Sequence, residues 1–265
     1  MRTQRGFTLI ESVMVIAITG TVIAVVAVFI APATTAYFSS SIRAQLGDQA
    51  DTALRRIARD LTLALPNSVR ISGNSLELIP VSGAARYATD AGDTLQFGMA
   101  VPDTSFAVVG PPLKLSHASQ QLAWYNLGAG TPDANAYTFS NVRTSTSGAG
   151  NATSVGLSGA SLPNFLMAPP FRVYAIEPPV TYRCDTTART LTRYTGYGFL
   201  ASQLDPPTGG STAVLARDVD SCVFSYDTSP AAVRYALVSL QITLKRKNET
   251  ESVTLYHSVH VDNLP

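Results

Sequence analysis

The chain opens with Met1-Arg2-Thr3-Gln4-Arg5-Gly6-Phe7-Thr8-Leu9-Ile10-Glu11, a short basic leader that runs directly into an apolar segment. After Glu11, no charged residue appears until Arg43. The apolar segment from Ser12 to Ala31 is long enough to span a bilayer, which takes about 20 residues. A secretory signal peptide would end in a small-residue cleavage site that removes its apolar part, and this opening is arranged differently. The segment is therefore predicted to stay on the protein as a membrane helix.

Glu11 is a lone acid at the start of this apolar segment, and a carboxylate at membrane depth requires an explanation. An unpaired carboxylate there costs at least ~2.5 to 3.5 kcal/mol, so an intramembrane acid is by default a functional-site hypothesis. Two interpretations are open. Either Glu11 lies in the headgroup region of a plain N-terminal anchor, where it costs little, or a cation of another molecule neutralises it.

The stretch Gly6-Phe7-Thr8-Leu9-Ile10-Glu11 resembles the class III signal of type IV pilins and pseudopilins. The position of the stretch, the basic leader and the apolar helix that follows all agree with that signal. The resemblance implies that a prepilin peptidase cuts between Gly6 and Phe7, on the cytoplasmic side, and methylates the new amino terminus of Phe7. Residues 1–6 would be the cleaved leader, and residues 7–31 would be the transmembrane and assembly helix.

The same resemblance gives Glu11 a role in assembly. Cleavage would create a cationic amine at Phe7, and in a staggered bundle of helices the Glu11 carboxylate of one subunit would meet the amine of its neighbour. Charge-assisted pairing in a low dielectric removes the cost of both buried charges. The plain-anchor interpretation stays open, but the offset of Glu11 from Gly6 favours assembly.

Length and composition bound the rest of the chain. The 265 residues allow one helix-anchored unit with a head of about 200 residues, which is within the range of a single core. Formal net charge is +1, and loss of Arg2 and Arg5, which fit the cytoplasmic side by the positive-inside rule, would make it −1. We see no basic patch that would suggest nucleic acid. Charged residues make up 14%, against a typical value of ~25%. This composition favours a head with long loops outside the cytosol.

The two cysteines, Cys184 and Cys222, fit a compartment beyond the inner membrane. An even pair of cysteines in an oxidising periplasm predicts a disulfide. Two buried free thiols are the alternative. No histidine or third cysteine lies at ligand spacing, so we expect no metal site and no cofactor.

The apolar segment is predicted to continue into a helix of roughly 55 residues in all. Pro32 is expected to kink this helix where it leaves the membrane, and Pro66 with Asn67 is expected to end it. One apolar face, which should lie on a sheet, is predicted from side chains that recur at steps of three and four. They are Ile42, Leu46, Ala50, Ala53, Leu54, Ile57, Leu61 and Leu65.

Two charge pairs at i,i+4 spacing, Asp51 with Arg55 and Arg56 with Asp60, are expected on the outer surface of this helix. Residues 32–65 would then form the soluble half of the helix, and residues 66–265 a periplasmic head. Alternating patterns in the head predict short strands over residues 75–79, 94–97 and 121–125. The predicted fold class is α+β, a long N-terminal helix packed on an antiparallel β-sheet head.

The C-terminal region gives the clearest strand pattern. Residues 236–244 alternate so that Val238, Leu240, Ile242 and Leu244 share one face, and residues 253–261 repeat the alternation after a polar turn. A long antiparallel hairpin is therefore predicted at the end of the chain. Residues 141–161 are mostly Ser, Thr, Gly and Ala, which predicts a mobile surface loop because the stretch offers little apolar area to bury.

Catalytic motifs are missing from the sequence, with no Gly-x-Ser-x-Gly, no phosphate-binding loop and no His-Glu-x-x-His. His257 and His260 are three apart in a predicted strand, so they face opposite sides and do not chelate together. The chain is therefore not expected to be an enzyme. Several aromatic residues could line a carbohydrate or protein groove, although core packing explains them equally well. They are Trp124, Tyr125, Tyr137, Tyr194 and Tyr197.

A narrower resemblance is carried by residues 51–61, by residues 180–197 and 215–226 around the two cysteines, and by residues 259–265. These stretches are similar to minor pilin-like proteins of mannose-sensitive haemagglutinin (MSHA) pilus biogenesis, and to the J-type minor pseudopilins of type II secretion and the W-type minor pilins. The resemblance implies a single-pass protein of the bacterial inner membrane that later joins a pilus or pseudopilus, at or near the tip.

Two classes of function remain in play. The first is an assembly-priming minor pilin or pseudopilin, and the second is an adhesin or binding module displayed at the tip of the same fibre. The expected partners are the prepilin peptidase, other major and minor pilin subunits and the inner-membrane assembly platform.

Overall fold

The computed structural model describes residues 6–227 and 235–265 and confirms the α+β class, with one long N-terminal helix and antiparallel sheets. The helix runs from Leu9 to Thr62. It consists of α1 (Leu9–Val25), a π-helical segment (Val26–Ile30) and α2 (Ala31–Thr62). Pro32 lies in the first turn of α2 and lacks the N–H that would continue the preceding hydrogen-bond pattern. The predicted disturbance at Pro32 thus takes the form of a π-helical segment just before it.

The helix ends earlier than the sequence predicts. Its last residue is Thr62, four positions before Pro66. Ala64 instead forms an antiparallel bridge with Pro80, and the Leu65 N–H donates to the Ile79 carbonyl at 2.8 Å. The backbone pairing of Ala64 and Leu65 with Pro80 and Ile79 therefore replaces helical hydrogen bonds, and the helix ends before Pro66.

The predicted apolar face of α2 is confirmed. Leu46, Ala50, Ile57 and Leu61 are buried, and Ile42 packs partly buried at the edge of the same core. This core is completed by two sheets that lie against α2, so the second half of the helix is the central element of the head.

In the part of the head that the structure describes there are sixteen strands, and all pairings between these strands are antiparallel. The strands are β1 (Arg70–Ser72), β2 (Ser75–Leu78), β3 (Val81–Tyr87), β4 (Ser105–Val109), β5 (Leu113–Leu115), β6 (Gln121–Trp124), β7 (Val142–Ser145), β8 (Gly150–Ala152), β9 (Ser154–Ser158), β10 (Arg172–Ile176), β11 (Val180–Asp185), β12 (Thr190–Thr195), β13 (Ser211–Arg217), β14 (Val219–Tyr226), β15 (Tyr235–Lys245) and β16 (Ser252–Asp262). Three short 3-10 helices cover Pro132–Ala134, Ala136–Thr138 and Asn164–Leu166.

Two sheets and α2 enclose the main core. One sheet has the order β1-β2-β11-β12-β13, and the other has the order β14-β15-β16. A disulfide between Cys184 on β11 and Cys222 on β14 joins the two sheets, with the Cα atoms 6.3 Å apart. The C-terminal hairpin is confirmed, and the four β15 residues predicted to share one face are all buried.

A closed barrel of six strands, in the order β10-β3-β4-β9-β7-β6, is inserted into the first sheet. Its strands lie between β2 and β11 in the chain, yet β2 and β11 pair directly, with Leu78 opposite Val180. The Glu177 N–H donates to the Pro80 carbonyl at 2.9 Å, so the chain enters and leaves the barrel side by side. The barrel has its own core around Phe106 and Trp124. Residues 81–176 are thus an inserted unit with a closed strand order.

Two expectations for this inserted unit are wrong. Residues 94–97 form no strand, apart from an isolated bridge between Phe97 and Leu162. Residues 141–161 are not a mobile surface loop, because they supply β7, β8 and β9. Val155 and Leu157 are buried in the barrel core. This stretch needs few apolar residues of its own because other strands supply the large core side chains, such as Phe106 and Trp124.

Contacts at the two ends of α2 give the order of parts along the molecule. Near its start, Arg43 pairs with Glu251 at 2.9 Å, so the turn between β15 and β16 lies towards the membrane segment. Near its end, the Asn67 N–H donates to Asn263 Oδ1 at 3.1 Å. A junction core that includes Leu65 and Tyr174 then connects to the barrel. The barrel therefore lies at the end of the head that is farthest from α1.

Removing the disulfide should destabilise the head without changing its fold. Cys184 and Cys222 are 38 residues apart, and closing a loop of that size is worth about 3 to 4 kcal/mol. We expect the Cys184→Ser, Cys222→Ser double variant of the region from Ser39 onward to lose about that much in urea unfolding. The reduced wild-type region is the matched control and should show a similar loss. Equal stability of the oxidised and reduced forms would contradict the prediction.

Candidate functional site

The first half of the helix has no contact with the rest of the molecule that buries it. From Gly6 to Phe38 every described side chain is exposed, with Leu9 at 85% and Phe7 at 77%. We call residues 7–38 the stem. Apolar side chains surround the stem on all sides rather than forming one stripe, a pattern that requires either lipid or other protein around it. Among the described residues, the helix Leu9–Thr62 is long and apolar enough to cross a membrane.

The start of the stem is a helix N-terminus capped by Thr8. Thr8 has an extended backbone, and its Oγ1 accepts a hydrogen bond from the Glu11 N–H at 3.3 Å. Thr8-Leu9-Ile10-Glu11 has the Thr-x-x-Glu spacing of a capping box, in which the glutamate also favours the positive end of the helix dipole. The capping role of Thr8 is not among the predictions made from the sequence, although the Thr-x-x-Glu spacing was the available signal. The cap fixes the helix start two residues after Phe7.

The carboxylate of Glu11 is available for an external partner. Within residues 6–227 and 235–265, its oxygen atoms have no hydrogen bond and no ion pair, and the residue is exposed. The reciprocal half of the capping box, from the Glu11 side chain to the Thr8 N–H, is not formed. Glu11 therefore contributes one backbone donor to the cap and leaves its charge unmatched.

Hydroxyl groups along the stem are bonded within the helix. Thr21 Oγ1 donates to the Ile18 carbonyl at 2.8 Å, and Thr35 Oγ1 donates to the Pro32 carbonyl at 2.9 Å. In a hydrocarbon environment, polar groups must be satisfied within the segment because no water is available. These two hydroxyl groups are thus compatible with burial in lipid or in a helix bundle.

The sequence-predicted site residues fall into two groups. Gly6 and Phe7 lie just before the helix and Glu11 lies in its first turn, whereas Cys184 and Cys222 lie in the head. Residues 1–5 of the predicted leader lie outside the described residues.

The predicted pair of Arg56 with Asp60 is formed, with Arg56 Nε 3.5 Å from Asp60 Oδ1, but the predicted position on the outer surface is wrong for Asp60. It is 9% exposed, and its Oδ2 accepts from the Tyr182 hydroxyl at 2.6 Å and from Arg193 Nη2 at 3.0 Å. Burial, together with the adjacent Asp60 carboxylate, raises the pKa of Tyr182. Asp60 follows Ile57 by three residues, so helical spacing places it at the edge of the apolar face. Asp51 does lie on the surface, where it pairs with Arg55 at 2.7 Å.

Asp60 and Asp51 form a matched pair for mutation. Asp60→Ala leaves the Tyr182 hydroxyl and the Arg193 guanidinium without their acceptor, so we expect a loss of about 2 to 3 kcal/mol in the free energy of unfolding. Asp51→Ala breaks an exposed i,i+4 pair and should cost no more than about 0.5 kcal/mol. Urea unfolding of the region from Ser39 onward measures both. Equal losses in the two variants would contradict the buried role of Asp60.

The aromatic residues proposed for a groove do not gather at one site. Trp124 is in the barrel core and Tyr137 is in the junction core, while Tyr197 donates to the buried carboxylate of Glu77 at 2.8 Å. His117 lies 3.3 Å from Glu177. In the described ranges, no three side chains of the His, Cys, Asp or Glu types are grouped as metal ligands would be.

Residues 1–27 match the family described as the prokaryotic N-terminal methylation motif. No curated protein and no solved structure matches the chain. The motif supports a subunit of the type IV pilin or pseudopilin kind, anchored by its apolar helix and processed by a prepilin peptidase. It points to a structural subunit rather than an enzyme.

Proposed function

We propose that this chain is a minor pilin or pseudopilin that primes or joins the assembly of a type IV pilus or a type II secretion pseudopilus. The main support is the stem, which is apolar all round, is not buried by any described part of its own chain and carries the methylation motif at its start. A helix that is apolar on all sides can be buried either in a bilayer or in a bundle of similar helices, so it can pass from one to the other.

Processing would remove residues 1–6 and leave a methylated amine on Phe7. The transmembrane and assembly helix would cover residues 7–31, the soluble half of the helix residues 32–65, and the head residues 66–265. In the inner membrane, the head would face the periplasm, where the Cys184–Cys222 disulfide is stable. The partners in this proposal are the prepilin peptidase, other pilin subunits and the assembly platform.

In the assembled fibre, the unmatched carboxylate of Glu11 would pair with the Phe7 amine of a neighbouring subunit. The pair would be close to the axis of a helix bundle, where each charge alone is expensive. The inserted barrel makes the head large, which fits a minor subunit at or near the tip better than a repeated one. MSHA-type fibres, with an MshO-like subunit, and type II secretion pseudopili are the systems that the sequence resembles.

Gly6→Ala should block processing, because the peptidase resembled here cuts after glycine. We expect the variant to keep its leader, which intact-mass analysis of membrane extracts would detect, and to be missing from sheared fibres. Gly20→Ala is the matched control, since no atom lies within 4 Å of the added methyl carbon at that position. Leader removal in Gly6→Ala would contradict the assignment of the cleavage site.

Replacing Glu11 should affect assembly but not processing. Glu11→Leu and Glu11→Gln both remove the charge, so both should lose a charge-assisted pair worth about 1.5 to 3 kcal/mol, or roughly tenfold or more in fibre incorporation. Glu11→Asp keeps the charge and should recover part of the incorporation. Immunoblots of sheared fibres against membrane fractions measure the ratio. Normal incorporation of both neutral variants would contradict the salt bridge.

A displayed binding module is the second candidate function, and the barrel favours it. Residues 81–176 start and finish at neighbouring positions and have a core of their own, so they could vary without disturbing the sheets around α2. Their position farthest from the stem would expose them on a fibre.

Deleting residues 81–176 and joining Pro80 to Glu177 through a short Gly-Ser linker separates the two candidates. If the barrel is a displayed module, the variant should be processed and should support normal fibre numbers, while adhesion of the cells is lost. If the barrel is needed for priming, fibres should disappear. Normal fibres together with normal adhesion would remove the case for a binding module in the barrel.

A further inference from the structure

The last strand of the protein has an unpaired edge. β16 pairs with β15 through eleven residues, from Lys245 opposite Ser252 to Tyr235 opposite Asp262, without any register shift. In the sheet order β14-β15-β16, it is a terminal strand. A strand of this length at the edge of a sheet is long compared with the usual five or six residues.

Hydrogen bonds at the two ends of β15 show which residues of β16 point to the open edge. The Leu237 carbonyl accepts from Asp227, and the Lys245 N–H donates to Asp218, so odd-numbered residues of β15 direct their backbone groups to the β14 side. Even-numbered residues of β15 therefore bond to β16, where their partners are odd-numbered. The even-numbered residues of β16 direct their N–H and C=O groups outward. They are Ser252, Thr254, Tyr256, Ser258, His260 and Asp262.

These outward backbone groups have no partner among residues 6–227 and 235–265. Their side chains are all exposed, with Tyr256 at 73%, so no element among the described residues covers this edge. Natural sheets usually protect such an edge with proline, lysine, a bulge or a short strand. β16 contains no proline or lysine, has no bulge and is eleven residues long. The edge is therefore open to an additional strand.

The side chains of β16 define the chemistry of a strand that fits. On the face towards α2, Val259 and Val261 are buried and Val253 and Leu255 are partly buried, while the exposed His257 interrupts this apolar row. The opposite face is exposed and mixed in character, with the uncharged polar residues Ser252, Thr254 and Ser258 beside Tyr256, His260 and Asp262. An added strand would cover the inner apolar row if its residues alternate between apolar on the α2 side and polar on the outer side.

The stem limits which molecule can supply that strand. β16 runs in the same direction as α2, because its start lies near Arg43 and its end near Asn67. If two copies paired their β16 edges antiparallel, a two-fold axis perpendicular to the strands would relate them. Because each stem runs parallel to its own β16, the two stems would then point in opposite directions. Both stems could not then enter one bilayer. A second copy in this arrangement is therefore excluded for the anchored protein.

We propose that the β16 edge binds an extended strand of a second, non-identical pilin-type subunit, which continues the β14-β15-β16 sheet. This inference rests on the proposed function, since it takes the partner from the same fibre. Backbone hydrogen bonds would provide much of the affinity, and the alternation of side chains would provide selectivity. The contact would add a head-to-head interface to the packing of the stems.

Residue-resolved amide exchange on the full-length protein in detergent tests this interface. The probes are full-length proteins of the same genome that carry the N-terminal methylation motif, each added separately. Alone, the outward amides of Thr254, Tyr256 and Ser258 should exchange fast, whereas the inward amides of Leu255 and His257 should be protected. With the correct partner, the outward amides should slow at least about tenfold. Fast outward exchange with every probe, or protection by a second copy alone, would overturn the proposal.

Ser258→Pro removes one outward N–H and no bond to β15, and proline is tolerated at the open side of an edge strand. This variant should lose the complex at least about tenfold in affinity, while Ser258→Thr should keep it. Protection of Leu255 and His257 in the free variant reports that the sheet is intact. Retention of the complex by Ser258→Pro would overturn the proposal.

Failure of strand addition can be distinguished from failure of the pilin function. If the chain is processed and enters fibres while its outward amides still exchange fast, strand addition fails and the pilin function stands. An unprocessed N-terminus instead counts against the pilin function.

Discussion

Burial of the stem is the constraint on which the rest of the structure depends. From Gly6 to Phe38 no described side chain is covered by the chain itself, and most are large and apolar. Each fully buried aliphatic or aromatic side chain is worth about 1.5 to 3 kcal/mol relative to water, so a stem of this length would be very unfavourable in solution. Lipid first and neighbouring stems later can remove that cost. Under the proposal, the single carboxylate at Glu11 then selects the neighbour whose terminal amine completes the pair.

The second half of the same helix, unlike the stem, is buried by its own chain. α2 has one apolar face, and the head supplies two disulfide-linked sheets that cover it. The two sheets of the head are therefore packed around α2. The barrel lies at the far end of the head and is connected to it through β2 and β11, which are neighbours in the sheet. The two surfaces proposed for assembly, which are the stem and the open edge of β16, are thus separate from the barrel. A separation of this kind would let one part of the protein direct assembly while another part meets the outside.

Much of this arrangement could be predicted from the sequence, because periodicity reports burial. The face of α2 and the C-terminal hairpin follow from spacings of three or four and of two residues, and both are confirmed. Composition gave a wrong prediction for the barrel, where the pairing of strands into a closed sheet decides the structure. Residues 141–161 look too polar for a core, but strand pairing around a barrel requires only a few inward side chains such as Val155. The insertion of the barrel depends on the pairing of β2 with β11, for example of Leu78 with Val180. These residues are far apart in the sequence, so no local sequence pattern predicts that they pair.

At the candidate site, the leader motif could be recognised from the sequence, whereas the capping role of Thr8 was found only from its hydrogen bond to the Glu11 N–H.

The most direct test of the central claim is the N-terminus of the native protein, determined by sequencing and intact mass on material from membranes that contain the peptidase. The account predicts a chain that begins at Phe7 with a methylated amine and keeps the whole stem. A chain that begins at Met1, or at a residue beyond the stem, would contradict it.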